Sequence, residues 1–341
     1  MDLAAIREPE EAVVEGDDGD ARCHRAKARL HSTAVEGLAV RSSVFPIEWG
    51  ALAPLRLRAR SVAEGVYAGP HRSVRKGAGV EFGGQRSYVP GDDLRFIDRR
   101  ALLRHDKLMV REFETETDRA LWLCVDATAS MAYRGERSPG AKYAYAALIS
   151  AALARVALAT GDPVGLGFVG GDGVRPLTAS AGREAFDRVV GSLEGARASG
   201  DATADPATVE RAVSVIAKKA RRGSVIVFLS DLLDLPARAR PDLLPLGAGG
   251  RTLVVVQVLD PAEVELPFSG SVRLRSLEGD VVVEADVDEV RAAYKERLAR
   301  LTADWTKDVE GRGGRLVRAV TSDDATAVTR SVLRAIAEAR T

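Results

Sequence analysis

The amino-acid sequence predicts an α/β fold, with a doubly wound and mostly parallel β-sheet flanked by helices. From residue 119 onward, short apolar runs alternate with longer segments of helical character, which is the order of a parallel sheet with crossover helices. The runs are apolar almost throughout, as expected for strands that are covered on both faces. Apolar residues make up 46% of the 341 positions, so the chain has enough of them for a core of this size.

The predicted elements follow in order along this part of the chain. Strands are predicted at residues 121–125, 164–169, 224–229, 252–259 and 315–320. Helices are predicted at residues 142–160, 183–193, 206–222, 287–310 and 324–340. The third helix has the clearest ends, because Pro206 suits a first turn and Gly223 follows a basic cluster that complements the helix dipole. That cluster therefore indicates a helix end rather than nucleic-acid contact.

The chain before residue 119 is predicted to have two parts. Residues 1–43 lack sustained periodicity and carry an acidic cluster, so we expect a flexible tail. Residues 44–118 should form a small signature region with a helix at 48–64, in which Pro54 fits only near the first turn. Turns rich in Gly, Arg and Asp, with brief strands between them, should fill the rest of that region. The main domain then spans residues 119–341.

Composition argues against several classes of partner. The chain has 49 basic and 49 acidic residues, which disfavours nucleic acid or an anionic membrane as the main partner. Two cysteines are too few for a disulfide framework, and Cys124 lies in an apolar strand, where an inert thiol is expected. No signal-peptide segment is visible, and Arg155 interrupts the most apolar helix, at 143–159. We expect no membrane span and a cytoplasmic protein.

The ends of the first and third predicted strands carry polar side chains. They are Asp126, Thr128, Ser130, Ser230 and Asp231. Functional groups in doubly wound folds gather at the carboxyl ends of strands, so these side chains should lie together. Carboxylate and hydroxyl oxygens suit a hard cation such as Mg²⁺. The same residues can instead cap strand ends and helix starts without any ion.

Nucleotide binding and catalysis fit the sequence less well. Residues 135–142 approach a phosphate-binding loop, but Ala141 separates the second glycine from Lys142, which displaces the lysine from the phosphates. We therefore predict no nucleotide site there. A metal-dependent hydrolase or phosphatase built on Asp126 and Asp231 is the alternative from another class. All four histidines precede the main domain, which therefore supplies no histidine base.

Three stretches carry a family resemblance. They read GAGVEF at 77–82, RSYVPGDDLRFID at 86–98 and VREFE at 110–114, and in this order they resemble the signature of the bacterial domain-of-unknown-function-58 family. The run VDATASM at 125–131 resembles the first loop of a metal-ion-dependent adhesion site in a von Willebrand factor A-like domain, with Thr128 in place of a serine. The resemblance implies that such a domain follows the signature.

The resemblance also implies an ion, a partner and a set of ligands. The ion would be Mg²⁺ or Mn²⁺, and the partner would be a protein that presents an acidic side chain to it. The family is associated with MoxR-type AAA+ ATPases, which makes such an ATPase the expected partner. The implied metal ligands are Asp126, Thr128, Ser130, Thr203 and Asp231. Thr203 lies in a loop that departs from the family pattern, so Thr208 is a second candidate for its position.

The signature contains charged residues with two conceivable uses. They are Arg86, Asp92, Asp93, Arg95 and Asp98. The sequence Pro-Gly-Asp-Asp at 90–93 is a natural turn. An internal turn and salt-bridge network that holds the region on the main domain is therefore the favoured interpretation. A partner-docking surface or a second cation site is the alternative.

The sequence and the family resemblance together predict a divalent-cation-dependent protein-interaction module. The resemblance alone implies that it is an adaptor or co-chaperone that works with a MoxR-type AAA+ ATPase. A metal-dependent hydrolase and a metal-free interaction module with a vestigial site are the alternatives.

Overall fold

The computed structural model describes residues 44–67, 81–87, 109–114, 119–182, 184–205, 207–233, 235–236, 238–275, 277 and 282–339. The predicted tail at 1–43 lies outside these ranges, as do Asp92, Asp93, Arg95 and Asp98 of the signature. Arg86 lies in a strand, Glu81–Ser87, that pairs antiparallel with Met109–Glu114. The predicted roles of the signature residues therefore stay predictions.

The described strands are β1 (Val44–Phe45), β2 (Glu81–Ser87), β3 (Met109–Glu114), β4 (Leu121–Asp126), β5 (Val164–Val169), β6 (Leu177–Ser180), β7 (Ala198–Ser199), β8 (Val225–Ser230), β9 (Thr252–Leu259), β10 (Ser271–Arg275), β11 (Val282–Asp286) and β12 (Arg315–Val320). The described α-helices are α1 (Leu55–Tyr67), α2 (Lys142–Ala159), α3 (Ala185–Gly195), α4 (Ala207–Lys219), α5 (Ala239–Leu243), α6 (Pro261–Glu265), α7 (Val287–Glu310) and α8 (Ala325–Glu338).

The main sheet has six strands in the order β12-β9-β8-β4-β5-β6. The first five are parallel, and β6 runs antiparallel to β5. The register places Asp126 beside Val169 and Leu259 beside Val320. The carboxyl ends of the five parallel strands therefore form one edge of the sheet, which we call the carboxyl edge. The predicted fold class is confirmed.

Alternation along the strands divides the core between the two faces of the sheet. Leu123 and Val125 of β4 belong to the cluster beneath α1, α2, α3 and α8. Trp122 and Cys124 belong to the cluster on the opposite face, which α4, α5 and the end of α7 cover. Both faces are apolar because each is covered, as the near-continuous apolar runs predicted. Complete burial of a side chain such as Leu123 contributes about 1.5–3 kcal/mol.

Helix α2 is the central helix on the face of the sheet that α1, α2, α3 and α8 cover. Its residues 142–154 are all buried, including the charged Lys142 at its first position. By length and composition alone this helix could cross a membrane. In the fold it instead packs against α1, α3 and α8. Its apolar character is accounted for by its position in the core.

Helix α1 packs on the main domain through Leu55 and Ala59, which share a core with β4 and α2. The predicted helix at 48–64 is two elements, a short 3₁₀ turn at Gly50–Leu52 and a helix that begins at Leu55. The helix starts after Pro54, because a proline in the helix interior would remove a hydrogen bond. Strand β1 pairs with β7 on the same main domain.

The five predicted strands occur within one residue of their expected ends. The elements β6, β7, α5 and α6, which are short and lie between the main elements, were not predicted. The hairpin of β10 and β11 was also not predicted, and it lies outside the main sheet. Residues of β11 are half-buried or exposed, so this strand lacks the apolar run that marks the core strands.

Candidate functional site

The first loop of the carboxyl edge, residues 126–130, places hydroxyl groups around a buried carboxylate. Asp126 Oδ1 accepts hydrogen bonds from the Thr128 backbone N–H at 2.9 Å and from Thr128 Oγ1 at 2.7 Å. Thr128 Oγ1 lies 3.2 Å from Ser130 Oγ. Asp126 Oδ2 accepts a hydrogen bond from Ser230 Oγ at 2.6 Å. The structure thus brings Asp126, Thr128 and Ser130, at the end of β4, together with the hydroxyl of Ser230 at the end of β8.

Asp126 holds its proton more tightly than an exposed aspartate. Burial raises its pKa to about 6, with a further contribution from the charge of Asp231, while the bonds from Ser230 and Thr128 act in the opposite direction. Burial also raises the pKa of the neighbouring Cys124 thiol to about 12. A neutral thiol of this kind is a weak nucleophile, which agrees with the prediction of an inert cysteine.

Asp231 forms a second, adjacent cluster with a buried lysine. Lys142 Nζ donates to Asp231 Oδ2 at 2.7 Å and to Glu263 Oε1 at 2.5 Å. The lysine is 0% exposed, and both carboxylates are almost completely buried. Burial alone would lower the pKa of Lys142, but the charges of Asp231 and Glu263 outweigh it and raise that pKa. The ammonium therefore stays charged. We call these three residues the lysine cluster.

A third group of buried side chains joins the long loop before α2 to the ends of β9 and β12. Asp260 Oδ2 accepts hydrogen bonds from the Gly135 backbone N–H at 2.8 Å and from the Ser138 hydroxyl. Ser138 Oγ also lies 2.6 Å from Thr321 Oγ1. Asp260 caps α6, and its own backbone N–H donates to the side chain of Glu263. This network fixes the loop from which Lys142 enters the core.

The second predicted loop, after β7, approaches the first loop through the backbone of Gly200, and the role of Thr203 or Thr208 as a metal ligand stays a prediction. The Gly200 carbonyl accepts a hydrogen bond from the Ala129 N–H at 3.0 Å, which places the backbone after β7 beside the first loop. Thr203 is exposed, and its backbone N–H donates to Asp201. Thr208 donates to Asp205 Oδ2 at 2.9 Å. The described contacts of the first loop therefore involve Gly200, whereas Thr203 sits on an exposed turn.

A cleft of about 310 Å³ opens beside the first loop. Its lining residues are Phe168, Gly170, Gly171, Ser199, Gly200, Thr208, Arg211 and Ala212. Gly170 has φ +65°, and a Cβ there would lie 3.0 Å from the Thr128 methyl group. The cleft therefore lies next to the Thr128 methyl group of the first loop. Arg211 brings a positive charge, which Asp205 holds at 2.6 Å.

The residues of the first loop fit the divalent cation that the resemblance implies. Two oxygens on one octahedral Mg²⁺ with bonds of about 2.1 Å lie about 3 Å apart, close to the 3.2 Å between Thr128 Oγ1 and Ser130 Oγ. Thr128 uses its single proton on Asp126, so Ser130 is the donor in the contact between the two hydroxyls. One lone pair of Thr128 Oγ1 then remains for an ion. Within the described ranges, no three acidic, histidine or cysteine side chains form a metal-binding group. The donors here are mainly hydroxyls.

Sequence reasoning missed the lysine cluster and the Asp260 network. The local sequence presents Lys142 only as a displaced phosphate-loop lysine. Its partners are 89 and 121 residues away along the chain, so no local pattern identifies them. One signal was available, because a lysine at the first position of an otherwise buried helix must find negative partners. The carboxyl-edge rule would also have selected Asp260 and Thr321, which directly follow β9 and β12.

The parallel sheet and the polar carboxyl edge define the class of protein, a doubly wound α/β domain whose polar groups gather at one edge of the sheet. The chain belongs to the family described as protein of unknown function DUF58, whose model matches residues 84–304. The resemblance noted in the sequence is thereby confirmed.

Similar proteins extend over most of the chain. "Uncharacterized protein Rv1480" of Mycobacterium tuberculosis H37Rv is 29% identical over 280 residues, which cover 80% of this chain and 85% of the relative. "Uncharacterized protein Mb1516" of Mycobacterium bovis matches with the same identity and coverage. A match of this length in a chain of 341 residues necessarily includes most of the signature region and of the main domain.

Solved structures with a related fold are more distant. An aerotolerance-related membrane protein from Bacteroides fragilis has a TM-score of 0.40 at 16% identity, and the alignment covers 64% of this chain and 99% of that one. BatB from Bacteroides thetaiotaomicron has a TM-score of 0.39 at 12% identity, with 65% and 98% covered. A von Willebrand factor type A protein from Catenulispora acidiphila has a TM-score of 0.31 at 15% identity, with 68% and 44% covered.

Proposed function

We propose that this protein binds another protein at the carboxyl edge in a manner that depends on a divalent cation. The observation that carries the proposal is the buried Asp126, with Thr128 Oγ1 2.7 Å from its Oδ1 and Ser130 Oγ 3.2 Å from Thr128 Oγ1. Asp126, Thr128 and Ser130 would hold Mg²⁺ or Mn²⁺. Because two of the three donors are neutral, a bound ion would stay electron-poor and accept a carboxylate from the partner.

The surroundings of the first loop support a protein as the ligand. The cleft beside Thr128 is open to solvent at Arg211 and Thr208, which are exposed or half-buried. An acidic side chain of a partner can enter there and meet a positive charge at the rim. The polar network around Asp260 holds the loop before α2 in place, and a preorganised loop lowers the entropic cost of binding.

The family resemblance suggests which partner to test. DUF58 proteins are associated with MoxR-type AAA+ ATPases, and an adaptor or co-chaperone role beside such an ATPase follows from that association. We therefore propose a MoxR-type ATPase of the same genome as the binding partner.

A binding experiment with that ATPase tests the proposal. The purified ATPase is captured on immobilised wild-type protein in about 5 mM MgCl₂, an excess over a micromolar site, or in EDTA. We expect capture with Mg²⁺ and at least about a tenfold loss with EDTA, or with Asp126→Asn. The matched control is Asp187→Asn, which changes an exposed carboxylate that pairs with Arg56 and does not line the cleft. Equal capture by all variants, with and without EDTA, would refute the cation dependence.

A metal-free interaction module is the second candidate. The observation in its favour is the lysine cluster, in which Asp231 already has a cationic partner. In that case capture would persist in EDTA and would depend on the cleft residues. Substitution of Arg211 by Glu reverses the charge at the rim of the cleft, so it should weaken metal-free capture of an acidic partner.

A further inference from the structure

Lys142 occupies an unusual position for a lysine. It is the first residue of α2 and it is 0% exposed. The amino-terminal end of a helix carries a partial positive charge, which disfavours a cation there. Removal of an ammonium group from water costs several kcal/mol more. Its burial at this position therefore requires strong negative partners nearby.

Two carboxylates and an aromatic ring supply those partners. Asp231 and Glu263 accept from Lys142 Nζ at 2.7 and 2.5 Å, and the nitrogen lies 5.8 Å from the centre of the Tyr133 ring. Asp231 reaches the lysine from the end of β8, and Glu263 reaches it from α6. The ammonium thus joins two separate elements of the carboxyl edge.

The arrangement leaves Asp231 with both carboxylate oxygens engaged inside the protein. Oδ2 accepts from Lys142, and Oδ1 accepts from the Leu233 backbone N–H at 3.0 Å. The Asp231 carbonyl is also contacted by the Gln257 amide at 3.4 Å. A divalent ion would have to displace a buried ammonium in order to use this carboxylate. Asp126 differs, because its oxygens face hydroxyl groups rather than a cation.

We infer that Lys142 is the resident cation of the Asp231 side of the site, and that it removes Asp231 from the ligand set of any divalent ion. An ion at the carboxyl edge is therefore bound by the first loop, residues 126–130, without Asp231. The charge of Lys142 also repels that ion and weakens its affinity. The ion-binding part of this inference rests on the proposed function, whereas the pairing of Lys142 with Asp231 does not.

Two matched variants separate a lysine partner from a metal ligand. At pH 8, above the pKa of about 7 of Glu263, Asp231→Asn and Glu263→Gln each remove one negative charge from Lys142, but only Asp231 was predicted as a ligand. MnCl₂ is titrated calorimetrically into each folded variant and into the wild type. We expect similar Mn²⁺ affinities for the two variants, within about threefold, since each loses one nearby charge. Loss of binding in Asp231→Asn with retention in Glu263→Gln would overturn the inference.

The variant Lys142→Met is expected to bind Mn²⁺ more tightly, and structural damage alone would not increase that affinity. Without the ammonium, the charge of the buried Asp231 carboxylate is no longer balanced by a cation, so Mn²⁺ affinity should increase by about tenfold or more. A folded Lys142→Met variant with unchanged or weaker Mn²⁺ binding would contradict the repulsion part of the inference. Circular dichroism at the titration temperature shows whether the variant is folded.

A double-mutant cycle decides the pairing even when no ion binds. Thermal unfolding is measured for Lys142→Met, Asp231→Asn and the combined variant in EDTA. Each single change leaves a buried charge without its partner, so we expect the combined variant to unfold at a higher temperature than Lys142→Met. Additive losses would overturn the pairing. Absence of Mn²⁺ binding in the wild type, together with strong coupling in this cycle, would refute the proposed cation dependence and support the pairing.

Discussion

At the scale of single residues, hydroxyl groups at the carboxyl edge donate hydrogen bonds to a buried carboxylate. Asp126 is almost fully buried, and an ionised carboxylate in such a place needs hydrogen-bond donors. Thr128 and Ser230 supply them from two different strand ends. A hydroxyl can donate its proton to the carboxylate and still offer lone pairs to an ion. The Thr128 hydroxyl therefore serves both the fold and the proposed site, whereas Ser230 holds the Asp126 carboxylate.

The first prediction concerns the hydroxyl of Thr128. Thr128→Ser keeps the hydroxyl and should leave Mn²⁺ affinity within about threefold of the wild type, because the oxygen donor is retained. Thr128→Val keeps the shape but removes the donor to Asp126, so we expect at least about a tenfold weaker Mn²⁺ affinity. It should also lower the free energy of unfolding by about 1–3 kcal/mol. Calorimetric titration and urea unfolding measure the two effects, and equal affinities for the two variants would contradict the assignment.

The second prediction concerns Glu263 and pH. Burial raises its pKa to about 7, with the charge of Asp231 adding to the shift and Lys142 opposing it. The folded protein therefore holds this proton more tightly than the unfolded chain, in which the pKa is near 4.5. The resulting stabilisation is present below about pH 4.5 and is lost as the pH rises to about 7. Its full size is about 3 kcal/mol.

A comparison of variants isolates this contribution. Glu263→Gln cannot ionise, so the difference in unfolding free energy between the wild type and the variant should shift in favour of the variant from pH 5 to pH 8, since ordinary carboxylates titrate below this window. The matched control is Glu265→Gln, an exposed residue of the same helix that pairs with Arg137. A pH-independent difference for Glu263→Gln would show that this group does not carry the expected proton.

At the scale of elements, the sequence located the core strands well because their apolar runs are long and uninterrupted. The same rule failed for β10 and β11, whose hairpin lies outside the main sheet. It also failed at the start of α1, where Pro54 set the boundary rather than the apolar pattern. Helix α1 nevertheless belongs to the core of the main domain, because Leu55 and Ala59 pack with α2.

The third prediction tests the packing of α1. Leu55 is 0% exposed, so Leu55→Ala should lower the free energy of unfolding by about 2–5 kcal/mol through lost burial and a cavity. Leu57 lies two residues later on the same helix and is 61% exposed. Leu57→Ala should change the stability by no more than about 0.5 kcal/mol. Equilibrium urea unfolding measures both, and similar small effects would mean that α1 does not pack on the domain.

At the scale of the whole molecule, the site is a property of the sheet rather than of one motif. Each parallel strand delivers its following residues to the same edge, and the polar groups there come from β4, β8, β9 and β12. The positions of Asp126, Ser230 and Asp231 at strand ends are therefore predictable from the amino-acid sequence alone. Because parallel strands align their carboxyl ends, the order of strands and helices in the sequence predicted that the residues after β4 and β8 lie at one edge of the sheet.

The internal partners of those residues were not predictable in the same way. The pairing of Lys142 with Asp231 and Glu263 joins positions that are distant in the sequence and depends on the depth at which α2 is buried. The contact of Gly200 with the first loop depends on a two-residue strand, β7, that has no apolar run to mark it. Long-range electrostatic pairing and short connecting strands are features of the folded chain that no local pattern encodes.

Calorimetric titration of MnCl₂ into the full chain tests the central claim most directly. The titration is made for the wild type, Asp126→Asn and the control Asp187→Asn, each with and without acetate as a stand-in for the partner's carboxylate. We predict about one ion per chain for the wild type and the control, tighter with acetate, and none for Asp126→Asn. No binding by the wild type in acetate, or equal binding by Asp126→Asn, would contradict the account.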